Sequence, residues 1–283
     1  MTSNLFIGTS GYSYGEWIDS GFYPDGTHSS NMLNFYTQVF HTTELNYTWY
    51  QMPKAPAIER MCAKVPENFK FAAKLTRTMT HEIKKGVWQK EVLLYRQGIE
   101  PLIQSKKLLC ILIQLPPYFK RSVNYRHYLA ALLDELAGLP LAVEFRHDSW
   151  ADDKVFFELE KRKVTLVSVD EPDLPGLFPR LDVVTNPELF YIRFHGRNGK
   201  GWRSENMQKQ FDYDYADREL VEWAATIKTA IMPEARTGGI FFNNHVRGQA
   251  PKNALRLITL LSKERHRQKT QKNQKTWTAQ SSI

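Results

Sequence analysis

Apolar and polar positions along the chain alternate between two rhythms. Short runs of β-branched, aromatic and aliphatic residues at 5–10, 41–48, 69–75, 108–115, 140–147, 163–170, 189–195 and 238–245 read as eight strands. Most gaps between them hold segments whose apolar residues recur every three or four positions, the spacing of a helix that buries one face. These are 31–40, 56–64, 87–105, 125–136, 154–161, 218–230 and 253–261. Strand and helix in alternation predict parallel pairing, because a crossover helix returns the chain to the same edge of the sheet. Eight such strands close a barrel, so the expected fold is α/β, a (β/α)8 TIM-type barrel.

The rhythm fails once. Residues 171–187 carry four prolines and a glycine, which predicts an irregular connection between strands 6 and 7 in place of a helix. The widest gap precedes strand 8 and opens with Gly196-Arg197-Asn198-Gly199-Lys200-Gly201, a flexible segment where barrels often carry functional loops. An open doubly wound sheet shares the alternation, but strand 1 leads into Gly8-Thr9-Ser10-Gly11-Tyr12, which lacks the glycine spacing of its phosphate loop. A chain of 283 residues fits one barrel domain, 1–262, followed by a basic and disordered tail, 263–283.

Composition narrows the class. Hydrophobic residues at 42% and charged residues at 24% suffice for a large core. The longest apolar runs, such as Leu108 to Ile113, are far shorter than the roughly 20 residues of a membrane span. Met1 to Leu5 shows no leader pattern. The two cysteines, Cys62 in a helix and Cys110 in a strand, offer neither a disulfide framework nor zinc spacing, so a cytoplasmic location is expected. The net charge is +8, but six basic residues against one acid from Lys263 onward hold +5 of it and leave +3 for the rest.

Side chains two apart on a strand point the same way, so the residues facing the barrel interior near each C-terminal strand end can be read off. They are unusually polar: Glu44 and Asn46, Lys74, Gln114, Glu144 and Arg146, Asp170, Arg193 and His195, Asn243 and His245. Taken singly, Glu144 and Arg146 could be an internal ion pair that fills space. Taken together, polar ends on seven of eight strands point to a functional site at the C-terminal mouth.

These residues also resemble a known family. Gly8-Thr9-Ser10-Gly11-Tyr12 with Tyr14 and Trp17, and Thr43-Glu44-Leu45-Asn46 with Tyr50 and Pro53, are similar to the opening motifs of the domain of unknown function 72 (YecE-like) family. So are Phe69-Lys70-Phe71 with Lys74, Thr80-His81, Gln114-Leu115-Pro116-Pro117, Glu144-Phe145-Arg146-His147 with Ser149-Trp150, Arg193 to Arg197, and Phe242 to His245. The resemblance covers nearly the whole chain except the tail. It implies a (β/α)8 barrel and brings no established reaction with it.

The mouth and its adjoining loop tip toward positive charge, which points to an anionic small molecule, a phosphorylated sugar or nucleotide, held against Arg193, Arg197 and the glycine-rich loop. Ser10, Tyr12, Asn46, Tyr50, Gln114, Arg146, Asn243 and His245 complete the expected binding set. Tyr12, Tyr14, Trp17, Tyr50, Trp150 and Trp202 lie on or beside strand-to-helix loops, where each either packs in the core or offers a flat face to a ring. The expected acid/base set is Glu44, Glu144, His195, Lys74 and Asp170: a glutamate as base, His195 as acid, and Lys74 or Arg193 against developing negative charge. A carboxylate pair in that set suits hydrolysis of a glycosidic or phosphate-ester bond, or a lyase reaction. A divalent metal on Glu144, Asp170, His195 and His245 is a weaker reading, with no metal-binding motif behind it. The tail could attach to RNA or DNA through phosphates. Three readings follow: a small-molecule enzyme, a nucleic-acid-processing barrel, and a binding protein without catalysis.

Overall fold

The computed structural model describes residues 4–204 and 206–262. Eight parallel strands close a barrel in chain order: β1 (Asn4–Ser10), β2 (Thr42–Leu45), β3 (Lys70–Lys74), β4 (Leu108–Gln114), β5 (Leu141–Glu144), β6 (Thr165–Asp170), β7 (Leu189–Phe194) and β8 (Thr237–Phe242). The ring is sealed by β1 against β8, where six residues pair from Asn4↔Thr237 to Thr9↔Phe242. The tail expected from Lys263, and any nucleic-acid contact through it, lies outside the described residues.

The long helices cover the outside, each with one buried face. In Trp88–Gln104 the buried positions Trp88, Val92, Tyr95, Ile99 and Leu102 are spaced by four and three, one stripe along the helix. Tyr95 carries that stripe onto β3, its hydroxyl lying 3.2 Å from the carbonyl oxygens of Ala73 and Lys74. Tyr36, on helix Ser29–Val39, pins its helix similarly: its hydroxyl donates to the Thr42 carbonyl at 3.0 Å and accepts from the Thr9 amide at 2.9 Å. Helices Val123–Glu135 and Asp153–Arg162 start on side-chain caps, Ser122 and Asp152, which accept from the amides of Tyr125 and Lys154. Covered within and without, the strands are buried on both faces and read as nearly continuous apolar runs.

The connection from β6 to β7 has no helix, as its prolines predict. An extended segment covers the outer side of β6 there, tied by the Thr185 hydroxyl to the Val164 carbonyl (2.7 Å) and the Leu166 amide (2.8 Å), and by Ser168 to the Leu181 carbonyl (2.9 Å). On the other edge of β7, β8 approaches closely through Gly238, where a methyl group would come within 2.1 Å of the Phe190 ring. Strand 2 ends earlier than its sequence pattern suggests. Asn46 turns helical (φ −68°, ψ −27°) and caps a single turn, Tyr47–Tyr50, that lies over the mouth.

Candidate active site

Along β7 the barrel interior changes from aromatic to charged within two residues. Tyr191 stacks on Phe241, with ring centroids 5.0 Å apart. Its hydroxyl donates to Glu44 Oε1 at 2.6 Å. Two residues further along β7, Arg193 is clamped between acids from opposite sides of the ring. Nε and Nη2 donate to the two oxygens of Glu44, both at 2.8 Å, Nη1 donates to Glu144 Oε2 at 2.7 Å, and Nη2 reaches Ser10 Oγ at 3.2 Å. The other oxygen of Glu144 accepts from Nε of Arg146. Glu44 and Glu144 are fully buried, and Arg193 nearly so. Two carboxylates and two guanidiniums thus form a closed, charge-balanced platform, the arrangement a buried ion network needs in order to offset its desolvation.

This platform fixes protonation states. Glu144 is held well below the usual carboxylate range: burial alone would raise it, and the guanidiniums of Arg146 and Arg193 overrule that. His195 is pushed down to about 3 by burial and then by Arg146. Its Nε2 lies 3.2 Å from Glu144, yet a ring with that pKa is neutral at pH 7, so the contact is a polar one and no ion pair. Glu171, just beyond β6, goes the other way. Burial pushes it up to about 8 despite Nη1 of Arg146 at 3.1 Å, so it is chiefly a neutral acid at pH 7 that accepts from the guanidinium.

Above the platform opens a cavity of about 480 Å3. Its floor holds Glu44, Lys74, Gln114, Arg146, Arg193 and Asn243, and its walls hold Tyr12, Tyr14, Tyr47, Trp49, Tyr50, His81, Met207, Phe211 and His245. Gly11, at φ +84°, makes the left-handed turn after β1 that brings Tyr12 and Tyr14 over the mouth. Tyr14 stacks flat on His245, centroids 4.7 Å apart, and Nδ1 of His245 lies 3.1 Å from Glu16. Lys74 differs from every other cation of the floor. Its ammonium has no hydrogen-bond or ion-pair partner among the described residues and faces only the Trp49 ring, 5.1 Å away. Burial, then Arg193, lower its pKa to about 7, against the pull of Glu144 and Glu44.

The structure brings most of the expected residues together. Glu44, Lys74, Tyr12, Asn46, Tyr50, Gln114, Arg146, Arg193, Asn243 and His245 line one cavity, while Ser10, Glu144 and His195 lie in the platform under it. Asp170 and Arg197 are elsewhere. The Asp170 side chain points to the helix layer, where it accepts from Tyr215 (2.7 Å), Trp223 Nε1 (2.5 Å) and Arg197. Arg197 spends its remaining donor on Glu219 at 3.0 Å. The acid that faces inward from this strand is Glu171, one residue on. Nor is the glycine-rich segment an open anion cradle, because the Gly196 amide donates to Tyr215 and the Gly201 amide to Asn198. The residues weighed for a metal do not converge: among the described residues no three His, Cys, Asp or Glu side chains gather where they could hold an ion. Of the aromatic candidates, Trp17 and Trp150 are core, Trp202 lies over Arg146 at 5.5 Å, and Tyr12, Tyr14 and Tyr50 line the cavity.

The sequence of the chain is matched over residues 6–278 by a family described as a protein of unknown function, DUF72. That match runs past Lys263, into the basic segment that the motifs quoted above leave out. A Bacillus subtilis protein, UPF0759 protein YunF, is 27% identical over 274 residues, covering 92% of this chain and 95% of its own length. The crystal structure of a DUF72 family protein from Thermotoga maritima is similar at TM-score 0.82 and 34% identity, over 91% of this chain and 99% of that one. Another, from Enterococcus faecalis, gives TM-score 0.81 and 27% identity over 91% and 95%. No helix of the described residues is long and apolar enough to cross a membrane.

Proposed function

The chain belongs to the DUF72 family, and on that premise we propose that its mouth is the active site of an acid/base enzyme for a small polar molecule, with Lys74 as the proton-transferring group. One observation carries the reading: the only floor cation without a partner among the described residues opens into the cavity, with a pKa of about 7. Proton transfer at neutral pH is most efficient from a group that titrates there. The carboxylates expected to do this work are poorly suited to it. Both are saturated by guanidiniums, Glu144 is held ionised, and a His195 that is neutral at pH 7 has no imidazolium proton to give.

Aromatic walls over a hydrogen-bonding floor suit a sugar-like ring, since flat apolar faces stack on the walls and hydroxyls meet the amides of Gln114, Asn46 and Asn243. An anionic substituent, such as the phosphoryl group of a sugar or nucleotide, has Lys74 as its partner, because Arg193 and Arg197 are committed elsewhere. The test is a panel of sugars, sugar phosphates and nucleotides, scored by thermal unfolding and then by turnover. A ligand at about 100 times its Kd adds ~2.7 kcal/mol. The expected result is a compound whose kcat/KM has a limb near pH 7 that Lys74→Met abolishes while the protein still unfolds cooperatively. Turnover in Lys74→Met equal to wild type sinks the proposal.

A further inference from the structure

We infer that the cavity takes an aldehyde or ketone and holds it covalently, as an imine on the Lys74 amine. The inference rests on the reading of Lys74 given above and adds the class of substrate. Its basis is the way the charged groups around Lys74 are partnered. Glu44 from β2 and Glu144 from β5, the carboxylates that act on it electrostatically, are already taken by Arg193 and Arg146, so neither fixes the ammonium in place. The same two arginines favour the uncharged amine. His81, on the wall beside it, adds no anion: burial and then Lys74 hold its ring neutral, at a pKa of about 4. Other nucleophiles are less well placed. Cys110 is buried within β4, and the Ser13 hydroxyl is directed at the Met32 sulfur, 3.6 Å away. An amine that is desolvated, unpaired and open to a cavity of this size is the arrangement that makes a lysine a nucleophile toward carbonyl carbon.

The step balances. The ammonium releases a proton to solvent, and the nitrogen lone pair attacks the carbonyl carbon as the C=O π electrons move to oxygen. The carbinolamine oxygen is protonated and leaves as water, and the nitrogen retains one proton as an iminium. One water is released, and the charge on nitrogen is +1 before and after, so the platform beneath keeps its balance. Asn46, whose Oδ1 has no hydrogen-bond partner among the described residues, and Gln114 are placed to meet hydroxyls beside the carbonyl.

The test uses the intact protein at pH 7 with glyceraldehyde, and separately pyruvate, in the presence of sodium cyanoborohydride, followed by peptide mass spectrometry. Lys74, although half-buried, is expected to be reduced to its adduct at least ~10-fold faster than the exposed Lys54, Lys64 and Lys84, and Lys74→Arg is expected to lose that adduct alone. Labelling of Lys74 no faster than of the exposed lysines with both probes overturns the inference. Acetic anhydride labelling across pH then separates the two readings. A Lys74 midpoint near 7 without an imine adduct leaves the proton-transfer role standing and removes the carbonyl. A midpoint near the ordinary lysine value of about 10.4 removes both.

Discussion

Replacing Arg193 by methionine should expose how much of the barrel's stability depends on the platform. The side chain is nearly fully buried and makes three charge-assisted bonds to carboxylates that are themselves buried. Without it Glu144 keeps Arg146, but Glu44 keeps only the Tyr191 hydroxyl, so the cost falls mainly on one orphaned charge. Breaking a buried pair from one side costs about 3–5 kcal/mol. Against a total stability of about 5–15 kcal/mol, this leaves a folded but weakened protein. The midpoint of thermal unfolding should fall by roughly 6–20 °C in a domain of this size. Adding Glu44→Gln to Arg193→Met removes the orphaned charge and should recover about 2 kcal/mol or more, a strong coupling between two residues in contact. Urea unfolding followed by circular dichroism, with a shared slope for all variants, measures each difference. A loss below about 1 kcal/mol in Arg193→Met, or a double variant equal to the sum of the singles, would show that the platform is solvated or held by other means.

Three further outcomes are expected. Between about 4.5 and 8 the folded state holds a proton on Glu171 that the unfolded chain releases, so stability falls as pH rises through that window; Glu171→Gln should flatten the fall in a stability-versus-pH series. Lys74 has the opposite slope. Between about 7 and 10.4 the unfolded chain holds a proton that the fold releases, so stability rises with pH there, and Lys74→Met should remove the rise in the same measurement. Asp170→Asn should cost about 2–4 kcal/mol in chemical denaturation by removing the carboxylate that Arg197, Tyr215 and Trp223 share and leaving Arg197 only Glu219, yet leave the affinity of any cavity ligand within about twofold, because Asp170 faces the helix layer.

The fold was legible because barrel strands need apolar residues on both faces and their crossover helices need a stripe on one, and these two rhythms survive in a single sequence. Strand ends were less so. Asn46 continues the alternation of β2, yet it caps a helical turn, and the pattern of side-chain types does not report that change of backbone. Asp170 and Glu171 show the same limit at one position. Period two assigns alternate residues to opposite faces but does not say which set faces inward, and two adjacent acids satisfy either choice. The neighbours Val167 and Val169 were no help, since strands buried on both faces carry apolar residues on each. His81, Trp49, Phe211 and Met207 reach the cavity from loops and short turns, where no periodicity operates. Only the Thr80-His81 motif marked one of them beforehand. Lys74 was visible as a polar strand end, but its lack of a partner depends on where Arg146, just past β5, and Arg193 of β7 place their donors, a property of the closed ring.

That closure has a consequence for how the protein is made. Glu44 meets its cation 149 residues later, and the mouth is completed only when His245 of the last loop stacks back on Tyr14 of the first. While the chain emerges from a ribosome, Glu44 waits for its counter-charge until Arg193 follows, and the cavity stays open on the side that Arg193, Phe211, Asn243 and His245 complete. A compound that contacts both sides of the cavity therefore binds the finished ring more tightly than any part of it, and by mass action it draws the last step of assembly forward.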